Sequence, residues 1–296
     1  MTSSMVAPAL VWPGFRLEAA GTDKRTKRRL RRAAYAAAPD RRALALAASA
    51  LGIEMPPAAP LARLGDGLAP GEGGWLRAEP VMLMPDRDRL VLMRLDEDPL
   101  SDDEARALLA STRAHFEERE LYLERTGAGH WYALAPGVAP VPDLPPELAA
   151  GGGVNAALGG AGAASPRERL LNEIQMLWHA HPVNAERRAA GRIQANALWL
   201  WGGGALPTTP RVSLPGGVVA SGAQWRGLAV WLGCAHAPLS GPDATAADGA
   251  ALIVVGPDQD DAGRAWLEDL ARRRSGFSVW AGSGVWRVSR RFFPRW

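Results

Sequence analysis

The residues best suited to chemistry crowd into one stretch. In order they are Leu171-Asn172-Glu173-Ile174-Gln175, then His179, His181, Pro182, Asn184, Arg187, Gly191 and Asn196, then Trp199-Leu200-Trp201-Gly202-Gly203-Gly204. Donors and glycines of this kind can hold an anion. A glycine run just past a strand lets the backbone approach a phosphate closely, with N–H groups turned to its oxygens. The planar fork of Arg187 binds two oxygens at once. The candidate anion site is therefore His181, Asn184, Arg187, Asn196, Trp201, Gly202, Gly203 and Gly204. A plainer reading stands beside it: the asparagines satisfy buried backbone groups, and His181-Pro182 marks a helix end. No Lys-Ser/Thr follows the glycines, and their spacing is not a dinucleotide fingerprint.

A second candidate is basic. Seven of the nine residues from Lys24 to Arg32 are cations: Lys24, Arg25, Lys27, Arg28, Arg29, Arg31 and Arg32. Such a helix can hold phosphate backbones or an acidic partner; its plainer reading is a solvated face. The segment holds both lysines of the chain, and so arginine-biased a composition makes the arginine count alone no argument for nucleic acid. The chain has 12 tryptophans, read mainly as core and sheet packing. The tail with Arg287, Arg290, Arg291, Arg295 and Trp296 is a candidate basic-aromatic surface.

Metal and thiol chemistry are not expected. His179 and His181 stand two apart, whereas helix-borne zinc ligands favour i, i+3 or i+4. Asp258, Asp260 and Asp261 read as turn and cap residues. Cys234 is the lone cysteine, so no internal disulfide framework forms, and it reads as a small buried hydrophobe.

The elements that must position these residues follow from pattern. Residues 24–51 read as helix interrupted at Pro39. Residues 81–84 and 90–95 read as a hairpin about Pro85-Asp86-Arg87-Asp88. Ser101 and Glu104 form a capping box opening a helix to about residue 118, and residues 131–134 read as a strand. Ser165-Pro166-Arg167-Glu168 opens another helix, to 179 or 180, with Leu170, Ile174, Leu177 and Trp178 on one stripe. A short helix over 184–190 ends at Gly191. Residues 195–201 and 250–255 read as buried strands, 225–234 and 263–274 as helices, and 277–293 as a terminal hairpin.

At 296 residues the chain has length for about two domains. With 47% hydrophobic and 22% charged residues it is not a wholly disordered chain. No run of ~18 uncharged apolar residues predicts a membrane-spanning helix. The basic residues follow the mildly apolar start rather than precede it, the wrong order for a secretory signal. A cytoplasmic location and no membrane partner are expected.

The stretch LLNEIQMLWHAHPVNAERRAAGRIQANALWLWGGGALP resembles RpfE-type proteins, regulators of pathogenicity factors in proteobacteria. So does WLRAEPVMLMPDRDRLVLMRLDEDPLSDDEARALLA with the basic helix before it, and the resemblance runs from about residue 28 to the C-terminus. HPVNAERRAAG with ANALWLWGGGALP also resembles the inserted substrate-handling domain of archaeal-type cofactor-independent phosphoglycerate mutases and their proposed homoserine kinase relatives. WLRAEP and LSDDEARALL resemble an earlier part of that insert. The mutases have an arginine before the first loop glycine, where this chain has Trp201; WLWG is closer to the kinase-like relatives. Those enzymes embed the insert in a phosphatase-like core, where an Asp-Gly near the N-terminus and Asp and His residues near the C-terminus hold two metals and the nucleophile. Here Asp66-Gly67 lies in a Pro/Gly-rich stretch, and His236 is the one histidine beyond residue 200. The resemblance thus implies the insert without its catalytic core.

The expected fold class is α/β: a mixed sheet with flanking helices, resembling the mutase insert, plus a basic helical N-terminal arm. The expected division is an arm over 1–55, a connector over 56–74 and a body over 75–296 with a flexible loop near 135–164. The expected function is a non-catalytic regulatory protein with a phosphate- or anion-binding pocket and no complete metal centre. Two alternatives stay open: a phosphomutase or phosphotransferase, which alone would need a divalent metal, and a nucleic-acid or protein-interaction module using the arm. The expected partners are a phosphorylated small molecule and, for the arm, nucleic acid or an acidic protein.

Overall fold

The fold is that of a computed structural model, which describes residues 8–18, 21–36, 42–72, 74–86, 89–116, 121–135, 144–150, 154, 166–212, 214–240, 242, 252–256, 258–273, 277–281 and 284–288. The chain divides into two units. Unit 1 comprises Met1–Pro56, Leu61–Leu68 and Pro207–Trp296; unit 2 comprises Pro57–Pro60 and Ala69–Leu206.

Unit 1 is organised by its shortest apolar runs. The run β1 (Ala9–Val11) pairs in parallel with β10 (Leu252–Val254) on one edge and β11 (Phe277–Ala281) on the other. Buried on both faces, parallel strands of this kind need no polar alternation, and β1 and β10 have none. The full order is β2 (Ala34–Ala36), β12 (Gly284–Val288), β11, β1, β10, β8 (Val218–Val219) and β9 (His236–Ala237). β12 runs antiparallel to β11 and β2. The helices of this unit are α1 (Lys24–Arg31), α2 (Ala43–Leu51), the later part of α3 (Ala58–Gly65), α8 (Ala223–Leu232) and α9 (Asp260–Arg272). Leu10, Trp12, Phe15, Leu30, Ile253, Trp266, Leu267 and Val279 share one core. Within unit 1, α3 and α8 meet at glycines: a Cβ on Gly227 would lie 1.7 Å from the Leu61 carbonyl oxygen.

Unit 2 is built on a long antiparallel strand, β3 (Trp75–Asp86). On one edge β7 (Ala197–Trp201) pairs with Arg77–Val81. On the other, β6 (Trp131–Leu134) pairs with Trp75, Leu76 and Arg77, and β4 (Arg89–Arg94) pairs from Val81 to Asp86. β5 (Tyr122–Arg125) continues beyond β6. Ala78, Glu79 and Pro80 are thus paired on the β7 side alone, leaving a gap in the sheet between β6 and β4.

The helices α4 (Asp102–Phe116), α5 (Pro146–Ala149), α6 (Pro166–His179) and α7 (Pro182–Ala189) complete unit 2. The capping box of α4 forms as its residue types demand: Ser101 N–H donates to Glu104 Oε2 at 2.7 Å, and Glu104 N–H to Ser101 Oγ at 3.2 Å. The stripe Leu170, Ile174 and Trp178 of α6 is buried in the core, with Leu177 at its margin. The buried Trp178 indole donates to Thr112 Oγ1 of α4 at 2.8 Å.

The mixed α/β class is as expected, but the division of the chain is not. No arm exists over 1–55: β1 is the fourth of seven strands, and α1 packs on α9. Three apolar residues give too short a pattern to signal a strand; parallel partners on both edges supply what the local sequence lacks. The expected connector contains α3, and the expected body is cut after Leu206, its C-terminal part joining residues 1–56. The implied insert alone is thereby corrected, because both ends of the chain contribute strands to a second sheet, in unit 1. The helix expected over 24–51 ends at Arg31 and resumes at Ala43 after β2; the strand expected at Val81 begins at Trp75; and β5, β8 and β9 are additional. Of the expected loop near 135–164, residues 136–143, 151–153 and 155–164 lie outside the described residues, as do Ser165, Arg290, Arg291, Arg295 and Trp296. Among the described residues no helix is long and apolar enough to cross a membrane.

Candidate anion-binding cleft

The residues predicted as an anion site sit close in sequence because they hold one corner of unit 2 together. His181 is the N-cap of α7, its Nδ1 accepting from Val183 N–H at 3.2 Å. Asn184 is fully buried; its Nδ2 donates to the carbonyls of Trp178 at 2.8 Å and Ala195 at 2.7 Å, and its Oδ1 accepts from Ala195 N–H at 3.1 Å. Asn196 straddles the backbone of Leu83, accepting its N–H at 2.7 Å and donating to its carbonyl at 2.8 Å.

Arg187 is 1% exposed. Its Nη1 donates to Glu104 Oε2 at 2.8 Å, Nη2 to the Asp98 carbonyl at 2.7 Å, and Nε to the Ile193 carbonyl. Arg192 closes the cluster, with Asp98 at 2.7 Å and Glu104 at 3.0 Å. Asn184, Arg187 and Asn196 are therefore framework residues that bond to the protein, and the plainer reading of the sequence describes the two asparagines.

The glycine run also serves packing. Gly202 adopts φ +70°, and its carbonyl accepts from Ala59 N–H at 2.7 Å. A Cβ on Gly203 would stand 2.3 Å from Leu76 Cδ2, and one on Gly204 3.0 Å from Pro57. The close approach these glycines permit is to Leu76 and Pro57 of their own unit. Trp201 is buried, and its indole donates to Glu79 Oε1 at 3.1 Å.

That last contact leads to a cavity that Glu79 lines. The gap in the sheet at Ala78, Glu79 and Pro80 opens into a cleft of about 440 Å³ whose polar walls are Arg77, Glu79, Arg94, Asp96, Arg125 and His130. Pro99 and Leu100, beside the loop that Arg187 pins, form a further wall. Arg77 donates to Glu79 at 3.1 Å and lies over the Tyr132 ring, 5.3 Å from its centroid. Burial works against its charge, but Glu79 and Tyr132 outweigh it, so its pKa stands above the ordinary arginine value. Arg94 pairs with Asp96 at 2.7 Å, and Arg125 with Asp102. A guanidinium carries five N–H donors, so one carboxylate does not saturate it. At Arg125 the consequence is explicit: its Nε is buried with no hydrogen-bond partner among the described residues.

The sequence reading missed these cleft residues. Arg77 and Glu79 carried a signal, being two apart on a strand and hence on one face. Arg94, Asp96, Arg125 and His130 come from other elements, which only the sheet brings together.

The basic segment is split by its helix. Arg29 is buried beneath α1, donating to the carbonyls of Ala271 at 2.6 Å and Arg273 at 3.1 Å, where it caps the end of α9. It is thereby removed from the expected interface. Lys24, Lys27, Arg28, Arg31 and Arg32 share one groove on the outer side, and Arg25 is exposed.

Ligands of open α/β sheets gather outside the carboxyl ends of parallel strands. In unit 1 those ends carry Trp12 after β1, Ser221 after β8 and Gly256 after β10. Trp12 is 4% exposed and donates to Asp260 Oδ1 at 3.0 Å; Gln259 donates to Ser221 Oγ at 3.2 Å and accepts from Gly256 N–H at 3.0 Å. Among the described residues no group of three or more His, Cys, Asp or Glu is placed to hold a metal ion.

Fold and cleft together define a two-unit mixed α/β protein with a charged cavity in its antiparallel unit. No protein-family model matches the chain. It is 26% identical over 162 residues to a probable 2,3-bisphosphoglycerate-independent phosphoglycerate mutase of Geobacter sulfurreducens, an alignment covering 53% of this chain and 41% of that protein. It is 35% identical over 68 residues to a 2,3-bisphosphoglycerate-independent phosphoglycerate mutase of Methanothrix thermoacetophila, covering 22% and 17%. The matched stretches span less than half the length of these relatives. The PH0037 protein from Pyrococcus horikoshii has a like fold, with a TM-score of 0.50 at 13% identity over 97% of this chain and 88% of that one. Since the likeness runs over nearly the whole chain, it takes in both units. The sequence likeness relates this chain to the cofactor-independent phosphoglycerate mutases.

Proposed function

We propose that this chain is a mutase-related binding protein whose unit 2 cleft takes a small phosphorylated organic acid and holds it without converting it. The observation that carries the reading is the Arg125 Nε, buried and without a partner on the wall of a cleft of about 440 Å³. That volume lies within the roughly 300–1,000 Å³ range of small-molecule sites. A buried N–H without an acceptor is costly and calls for one, and Arg77, Arg94 and His130 stand on the same walls. The relatives' names supply the ligand class, phosphoglycerate. Holding rather than converting is supported by the Trp12–Asp260 contact at the carboxyl ends of the parallel strands, where an indole and its carboxylate partner are committed to each other. A regulatory, RpfE-type role in the cytoplasm is part of the proposal and rests on the sequence resemblance.

Calorimetry on the full chain with 3-phosphoglycerate, and separately with inorganic phosphate, tests this. Saturable binding of 3-phosphoglycerate is expected. It should weaken at least about tenfold in Arg125→Lys, which keeps a charge for Asp102 and loses the Nε donor. Absence of binding to the wild type, or unchanged affinity in the folded variant, sinks the cleft assignment. Turnover of 3-phosphoglycerate with added manganese overturns the non-catalytic reading in favour of the phosphomutase alternative.

A further inference from the structure

We propose that the outer face of α1, together with Tyr35, is a binding strip for single-stranded nucleic acid. Lys24, Lys27, Arg28 and Arg31 stand at i, i+3, i+4 and i+7 and form one stripe, continued by Arg32 in the same groove. At 1.5 Å per residue the stripe is about 10 Å long. Its direction is fixed, because Thr26, Arg29 and Leu30 on the opposite side are buried.

The charge on this stripe is concentrated. The chain has 34 basic and 31 acidic residues, and seven of the 34 lie between Lys24 and Arg32, so the rest of the chain is net acidic. Among the described residues, the ion pair on the stripe is the exposed contact of Arg31 with Glu18 at 3.0 Å. Like charges so close repel within the helix, and a polyanion would relieve them.

Charge alone would suit any polyanion; Tyr35 selects among them. It lies on the edge strand β2, three residues after Arg32 and so within about 10 Å of it, and is 59% exposed. Its ring is seated on Gly284, where a Cβ would come 2.2 Å from Tyr35 Cε2, and leans on Trp286 with centroids 5.1 Å apart. The ring is held by Gly284 and Trp286 and is largely exposed to solvent. An aromatic platform beside a cationic track is how proteins hold unpaired strands, the bases stacking while the phosphates meet cations. A base within a duplex has no face to offer.

The test is fluorescence anisotropy of the full chain with a labelled oligothymidine and with a duplex of equal length, across a salt series. Preference for the single strand is expected, with a slope of log K against log salt near −3.5 for five cations. Tyr35→Ala should lose about tenfold or more in affinity at unchanged slope, with Tyr35→Phe restoring it. Replacing Lys24, Lys27, Arg28 and Arg31 by alanine, with folding checked by circular dichroism, should flatten the slope. Equal binding of the duplex, wild-type affinity in Tyr35→Ala, an unchanged slope in the charge variant, no binding of oligothymidine, or tighter binding of polyglutamate would each overturn the proposal.

Discussion

Arg187 and Asp98 form the buried joint of unit 2. The Arg187 Nη2 donates to the Asp98 carbonyl at 2.7 Å and stands 3.0 Å from its carboxylate. Through this joint α7 fixes the loop before α4, and with it Pro99 and Leu100 on the cleft wall. An arginine that looks like a phosphate ligand in sequence thus shapes the cleft without lining it.

Removing that arginine should be expensive. Arg187→Met removes the buried cation from Asp98 and Glu104, which keep only the more exposed Arg192, and takes the side-chain donor from the carbonyls of Asp98 and Ile193. A loss of about 3–5 kcal/mol is expected in urea unfolding, the range for breaking a buried ion pair from one side. Arg187→Lys should recover little, since one ammonium cannot reproduce the fork.

The same joint makes stability fall in acid. Asp98 is held below its ordinary pKa of 3.8 by the hydrogen bond from Arg192, with Ile193 N–H and Arg187 adding to it against burial. At Glu104 burial pushes upward, but Ser101 N–H and Arg187 outweigh it, so it too is lowered, from 4.5. A carboxylate with a depressed folded pKa contributes stability that is complete above its unfolded value and is lost as pH falls through the folded one. Unfolding curves across an acid series should show that decline below about pH 4.5. Asp98→Asn combined with Glu104→Gln should be less stable at neutral pH and flatter in acid.

His181 should add a second, milder dependence at higher pH. Burial lowers its pKa from 6.5, and its Nδ1 caps α7 only as an acceptor, hence only when unprotonated. The contribution is present above the unfolded value and lost as pH falls through the folded one. His181→Asn, a strong N-cap without a titration, should reduce the Tm slope between about pH 7 and pH 5, leaving the part that His236 contributes, its pKa being lowered by burial as well. An unaltered slope would place its origin elsewhere.

Glycine at the α3–α8 contact of unit 1 should be obligatory. Gly227→Ala drives a methyl against the Leu61 carbonyl, backbone that cannot swing aside. A loss of about 1–3 kcal/mol is expected. Gly14→Ala, with nothing within 4 Å, is the matched control and should change little.

Trp12 should matter through both its bulk and its N–H. It lies 5.2 Å from Phe15, centroid to centroid, and donates to Asp260. Trp12→Ala should cost about 3–5 kcal/mol. Trp12→Phe keeps a ring against Phe15 and loses the bond to Asp260, about 1 kcal/mol. Chemical denaturation followed by circular dichroism separates the two.

What the sequence determined by itself was local. The Ser101–Glu104 capping box, the Leu170–Trp178 stripe, the terminal hairpin read over 277–293, of which the strands 277–281 and 284–288 are described, and the mixed α/β class were all legible, because hydrogen bonds and periodicities within a few residues decide them. The crowding of Asn184, Arg187 and Asn196 was legible too, but not its use. Whether an asparagine or arginine faces a ligand or a carbonyl depends on which backbone arrives beside it, here Asp98, Ala195 and Leu83. Three choices belonged to the tertiary structure alone. It made Ala9–Val11 a central strand, because parallel partners far along the chain pair with both its edges. It turned Arg29 inward and left its neighbours outward, because α9 ends beneath it. It gathered Arg77, Arg94 and Arg125 from three strands around a gap left where two partners of one long strand fail to meet.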